Sequence, residues 1–177
     1  METRLLVDIA EALAQRGVAV LRFNFPYTEA GRRAPDPQAK LEACYRAVAE
    51  AVAREFARPY LGGKSMGGRI ASHIVADGFP AGGLVFLGYP LHPPGRPDHI
   101  RDSHLARITA PMLFIQGTRD PFATPELLHQ TVNRLEPAKL VEIKGGDHSF
   151  KVKGRAQADV TAELVQAIDE FLPGRQH

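Results

Sequence analysis

The sequence predicts an α/β fold, a mostly parallel sheet with helices on both faces. Three observations carry that expectation. Short runs of β-branched and aromatic residues alternate with segments whose apolar residues recur at helical spacing. Gly and Pro punctuate the joints between them. The chain has 177 residues, 44% of them hydrophobic, which suits one domain with a real core over 1–177.

Leu5, Leu6, Ile9 and Leu13 lie on one helical face, and Gly17 is placed to stop that helix. Val18–Phe25 then reads as a buried strand. Leu41, Tyr45, Val48, Val52 and Phe56 make a second helical stripe with Cys44 beside it, so Cys44 reads as core. A brief strand over Pro59–Gly63 runs into the Gly-rich turn Gly63–Gly68, and Met66, Ile70, Ile74 and Val75 form a third stripe ending near Gly78. Further strands are expected at Leu84–Tyr89, Met112–Gln116 and Lys139–Lys144. Thr124 followed by Pro125 marks a helix start, and Ala156–Leu172 reads as the last helix. Pro90–Pro97 is the one long irregular stretch. Strand–helix alternation of this kind builds a parallel sheet.

Charge and composition exclude several partner classes. The formal net charge is +2, and no basic block exceeds a pair such as Arg32–Arg33, so nucleic acid and anionic membranes are not expected partners. No run of apolar residues is long enough to span a bilayer. The single cysteine forbids an internal disulfide and fits a reducing compartment, and the opening residues lack the layout of a secretory signal. The expected location is the cytoplasm.

In a parallel sheet the chemistry gathers beyond the carboxyl ends of the strands. There Gly63-Lys64-Ser65-Met66-Gly67 forms a G-x-S-x-G that leads straight into a helix. A nucleophilic serine needs such a strained strand-to-helix turn, with its hydroxyl projecting and glycines permitting close approach of backbone and helix. The Met66 N–H, next to the nucleophile, is the expected oxyanion donor. A serine also needs a base, and the base an orienting acid. Asp120 follows the strand Met112–Gln116, and His148 follows Lys139–Lys144. The order Ser, Asp, His suits a triad of Ser65, Asp120 and His148. Asp147 reads as a cap, His92 as a surface residue of a Pro-rich loop, and His73 as a packing or surface residue.

The runs Gly62-Gly63-Lys64-Ser65-Met66-Gly67-Gly68-Arg69, Leu87-Gly88-Tyr89-Pro90 with His92-Pro93-Pro94-Gly95, Gln116-Gly117-Thr118-Arg119-Asp120-Pro121-Phe122, and Arg22-Phe23-Asn24-Phe25-Pro26-Tyr27 together resemble the small α/β-hydrolases related to dienelactone hydrolases. That group includes bacterial predicted hydrolases, a mammalian testis-expressed protein and a domain of a subunit of the non-specific-lethal chromatin complex. The resemblance spans nearly the whole chain. It implies Ser65, Asp120 and His148 as the triad and little about substrate. Family members also carry an upstream strand and a His-Gly-rich loop that supplies a second oxyanion donor, whereas this chain opens inside the first helix, at Met1. The implied sheet lacks a central strand between Val18–Phe25 and Pro59–Gly63. Either those two segments pair directly, or the chain is marginally stable and associates through exposed edges. Marginal stability is the expected outcome.

The function these readings favour is hydrolysis of a carboxylic ester or related small-molecule acyl compound, through an acyl-enzyme and without metal or organic cofactor. Only a short segment separates Tyr89 from Pro111, too little for a large cap domain, so an open site is expected. Nucleotide binding is a poor rival. Gly63-Lys64-Ser65 mimics the end of a phosphate-binding loop, but the required upstream glycine is Arg58. A hydrolase-like interaction module with weak or no turnover is the third reading.

Overall fold

Four parallel strands in chain order form the sheet, and the computed structural model describes residues 4–172 around them. Met1, where the sequence reading placed the chain's opening, and the ends of the expected span 1–177 lie outside the described residues. The strands are β1 (Tyr60–Lys64), β2 (Gly83–Leu87), β3 (Met112–Gly117) and β4 (Ala138–Ile143). Each steps one place sideways in the same direction. Right-handed crossovers then put every connection on one face. That face carries α4 (Met66–Ala76), a 3₁₀ turn at Leu105–Arg107 and α5 (Pro125–Val132), together with α3 (Gln38–Ala53) packed on α4. The other face is covered by α1 (Arg4–Gln15) and α6 (Gln157–Phe171), which pack on each other. A short helix, α2, spans Pro26–Glu29.

Side-chain alternation divides the core between the two faces. On β2, Leu84 and Phe86 point to one cluster and Leu87 to the other, and on β3 Met112 and Phe114 oppose Leu113 and Ile115. Strands buried on both faces must be apolar throughout, which is why β2 and β3 read as continuous runs. In α1, Leu5, Ile9 and Leu13 are buried at helical spacing, and Gly17 ends the helix at φ 78°. Thr124 caps α5 by accepting the Leu127 N–H, with Pro125 in the first turn. Expected strand and helix ends are displaced by one or two residues, the ordinary consequence of fraying.

Two expectations about the secondary-structure elements fail. Val18–Phe25 is not a strand. It forms no ladder, and Val20 and Leu21 are 41% and 60% exposed. Nor does it pair with β1, whose sole strand neighbour among the described residues is β2. The segment is held by its aromatic side chains: Phe23 meets the Tyr45 ring edge-on at 5.0 Å, and Phe25 packs near both. The Tyr45 hydroxyl lies against β1, donating to the Gly62 carbonyl at 2.6 Å and accepting the Gly62 N–H at 3.0 Å. One side chain thus supplies both halves of a rung that a strand would have supplied. Burial pushes the Tyr45 phenol up to about 12, so it remains a hydroxyl able to do both. The stripe on α3 is the second failure. Its buried residues are Leu41, Tyr45 and Ala49, while Val48 and Val52 are half-buried, and Phe56 lies beyond the helix end, exposed. Cys44 is half-buried instead of core.

No described helix is long and apolar enough to cross a membrane.

Candidate active site

Ser65 stands between β1 and α4 with φ 52° and ψ −118°, a conformation unfavourable to any residue with a Cβ. Such strain costs about 1–3 kcal/mol and persists because the surroundings enforce it. Its N–H donates to the Leu87 carbonyl on β2, and its own carbonyl accepts the Arg69 N–H, so backbone bonds fix the turn on both sides. A Cβ on Gly63 would lie 2.7 Å from the Gly67 carbonyl carbon, and one on Gly68 would lie 2.7 Å from the Gly63 oxygen. Those two glycines let the helix close on the strand. Gly67 is different. A Cβ there would meet open space, so of the two glycines that define the motif only Gly63 is sterically required.

The His148 ring joins Ser65 to Asp120. Its Nε2 lies 2.9 Å from Ser65 Oγ, and its Nδ1 lies 2.7 Å from Asp120 Oδ2. The Asp120 side chain is fully buried, whereas that of His148 is 20% exposed. Asp120 accepts two further hydrogen bonds, from Gln116 Nε2 at 2.7 Å and from the Phe122 N–H at 2.9 Å. A carboxylate surrounded by donors is an acceptor, so the His148 proton sits on Nδ1 and Nε2 accepts from the serine hydroxyl. The Phe122 ring packs on the imidazole at 4.3 Å. On the other side Gly88, at φ 68°, approaches so closely that a Cβ would lie 3.4 Å from both Asp120 Oδ2 and His148 Nδ1.

The loops after β3 and β4 are joined backbone to backbone. A Cβ on Gly117 would overlap the Gly146 carbonyl. The Arg119 N–H donates to that carbonyl at 2.9 Å, and the Gly145 N–H donates to Thr118 Oγ1 at 2.8 Å. Met66 is the first residue of α4, where an N–H has no intrahelical acceptor, so it is available beside Ser65. The positive end of the α4 dipole points the same way.

The rival residues fall elsewhere. Asp147 caps its own loop, with Oδ1 accepting the Ser149 and Lys151 N–H groups. His92 is buried, not on the surface as expected. Its Nδ1–H donates to the Pro93 carbonyl, and its own N–H donates to the Phe122 carbonyl, tucking the Pro-rich loop inward. His73 stacks on His104 at 3.8 Å, and Ser72 and Tyr89 surround the His104 Nε2. Burial first, then the neighbouring His73, Arg69 and Arg107, push His104 down to about 4, so its imidazole is neutral at pH 7. Burial and the Asp36 carboxylate push the Cys44 thiol up, away from thiolate chemistry. Among the described residues no three His, Cys, Asp or Glu side chains gather as a metal site would require.

A hydroxyl on a strained elbow, hydrogen-bonded to an imidazole that a buried carboxylate orients, is the constellation of acyl-transfer enzymes. Comparison with known proteins agrees at the level of fold: residues 1–173 match the alpha/beta hydrolase domain. The chain belongs to the α/β-hydrolase family. This α/β hydrolase is similar to an alpha-beta serine hydrolase homologue from Coxiella burnetii, with 22% identity and a TM-score of 0.75 over 97% of this chain and 77% of the other. A putative α/β hydrolase from Agrobacterium tumefaciens gives 19% identity and a TM-score of 0.75, covering 97% and 78%. Est1E from Butyrivibrio proteoclasticus, whose structure holds ferulic acid, gives 19% and 0.69, covering 94% and 82%.

Gln116 and Phe122 are the site residues that sequence reasoning missed. One signal was available: Gln116 is the only polar side chain in the otherwise apolar MLFIQG of β3.

Proposed function

We propose that this α/β hydrolase is a serine esterase, related to the dienelactone hydrolases, that cleaves a small carboxylic ester or kindred acyl compound. The reading rests on the hydrogen-bonded line from Ser65 Oγ through the His148 ring to Asp120. Ser65 Oγ attacks the ester carbonyl while His148 Nε2 takes its proton. The carbonyl oxygen becomes an oxyanion that the Met66 N–H receives. The tetrahedral intermediate then collapses, His148 returns the proton to the departing alcohol, and the acyl group stays on Ser65. Water, deprotonated by the same nitrogen, attacks the acyl-enzyme; the bond to Ser65 Oγ breaks, His148 returns the proton to that oxygen, and the acid leaves. Asp120 holds the imidazole in the tautomer this sequence of transfers needs and stabilises its cationic form. The reading includes one domain over 1–177 working in the cytoplasm, consistent with a single unpaired cysteine.

A fluorophosphonate probe and a short-chain aryl ester test it. Ser65→Ala is expected to abolish labelling and to lower kcat by about 10⁴–10⁶, with Cys44→Ala leaving both intact. Full labelling of Ser65→Ala overturns the assignment. A second reading, an interaction module of low turnover, draws on Val20 and Leu21, exposed within the unladdered segment Val18–Phe25; fast labelling of Ser65 together with rapid turnover of the aryl ester excludes it.

A further inference from the structure

Behind the two joined loops lies a concavity of about 370 Å³, lined by Arg119, Gly145, Asp147, Lys151, Val152 and Lys153. None of Ser65, Asp120 and His148 lines it. Its volume is within the ordinary range of small-molecule sites.

Its charges are unbalanced in a chain that otherwise pairs many of its own. Arg32 and Lys40 share Asp36, Arg107 meets Asp77, Arg134 meets Asp102, and Arg155 meets Glu163. Among the described residues, the side chains of Arg119, Lys151 and Lys153 have neither an ion pair nor a hydrogen bond. The one carboxylate present, Asp147, is already committed. Its Oδ1 accepts two backbone N–H groups, and its charge also faces Lys64. Three cations against one acid leave this concavity at +2, equal to the formal net charge of the whole chain. A cleft with an excess of one sign of charge attracts counter-ions of the other. Arginine supplies a planar fork for oxyanions, and two lysines add mobile point charges.

We propose that this concavity is a binding site for a small oxyanion, a phosphate or carboxylate group on a small molecule, separate from the Ser65 site. Its walls adjoin that site in sequence. Arg119 precedes Asp120 and Asp147 precedes His148, and the Arg119 N–H bonds to the Gly146 carbonyl across the two loops. An anion gripped from both loops braces the frame that carries the acid and the base.

Inorganic phosphate is the probe, with sodium chloride at equal ionic strength as the reference. Thermal unfolding is expected to show a saturable rise in Tm with phosphate and none with chloride, since a ligand of the folded state stabilises by mass action. Calorimetric titration should give the same saturation. A charge-assisted hydrogen bond is worth roughly tenfold or more in affinity. Lys151→Gln with Lys153→Gln should therefore weaken binding at least about tenfold, and adding Arg119→Gln should remove it. Arg33→Gln with Arg58→Gln removes as much charge from exposed positions elsewhere and should leave binding unchanged. The same measurements on Ser65→Ala need no turnover, so they stand even if the esterase reading fails. Matched neutral and phosphorylated aryl esters separate the two sources of the anion. If the substrate carries it, the lysine pair of variants loses kcat/KM on the charged ester alone; if a second molecule carries it, both esters respond alike to added phosphate. A Tm response no larger than that to chloride, one that survives the triple variant, or one lost equally in Arg33→Gln with Arg58→Gln, overturns the proposal.

Discussion

Strand β3 and the segment Val18–Phe25 are both short apolar runs, Met-Leu-Phe-Ile-Gln-Gly in one and Val-Ala-Val-Leu-Arg-Phe-Asn-Phe in the other. β3 lies between two ladder partners, β2 and β4, and every residue in it is buried. Val18–Phe25 has no ladder, Val20 and Leu21 are exposed, and only Val18, Phe23 and Phe25 pack against the core. Apolar, β-branched composition records a demand for burial. A neighbouring backbone decides whether that demand is met as a strand. The difference teaches that the same local pattern yields opposite outcomes with and without a partner strand beside it.

That contrast can be broken or sharpened by unfolding measurements in urea, taken from the largest expected effect to the smallest. Phe114→Ala empties the middle of the best-packed strand and should cost about 3–5 kcal/mol; a loss below about 1 kcal/mol means that β3 is not the centre of the core. Gly63→Ala forces a Cβ onto the Gly67 and Gly68 backbone, and should cost roughly 1–3 kcal/mol and, on the proposed function, slow hydrolysis of the aryl ester with it. Gly67→Ala, facing open space, should be neutral or stabilising by up to about 1 kcal/mol. Equal damage from both glycine variants contradicts the steric account of the elbow. Tyr45→Phe deletes the hydroxyl that serves both polar groups of Gly62, and a loss of about 1–2 kcal/mol is expected. No change in its midpoint means that water replaces the hydroxyl at the β1 edge. Leu21→Ser should move stability by no more than about 0.5 kcal/mol. A large loss there shows that the exposed segment is covered in solution.

Much of the sheet and of the site geometry is legible in the sequence, for identifiable reasons. Ser65, Asp120 and His148 each follow a strand end, and parallel strands bring those ends to one edge, so three distant residues can be placed together by counting elements. Gln116 and Phe122 are harder to read because their roles depend on which atoms of Asp120 face them, a tertiary fact without a periodic signature. Gly67 and Gly68 look alike in the sequence, yet only the path of α4 over β1 distinguishes the one in open space from the one in contact. His92 looks like a loop residue on the surface, and its burial follows from the inward fold of the Pro-rich segment against Phe122. Val18–Phe25 is misread because periodicity registers the apolar face and not the partner strand.

The contact of Gly117 with Gly146 has a consequence for how the site assembles. Asp120 and His148 are 28 residues apart, whereas Ser65 and His148 are 83 apart. Loop closure over the longer span costs about 1 kcal/mol more in entropy. Asp120 and His148 therefore belong to a local unit built from β3, α5 and β4, whose contact closes at the smaller entropic cost. Ser65 joins it through β1, which has β2 as its one strand neighbour among the described residues, as β4 has β3. Of the two side-chain contacts in this line, the one between Ser65 and His148 closes the longer stretch of chain, so its formation restricts the unfolded chain more than the contact of His148 with Asp120 does.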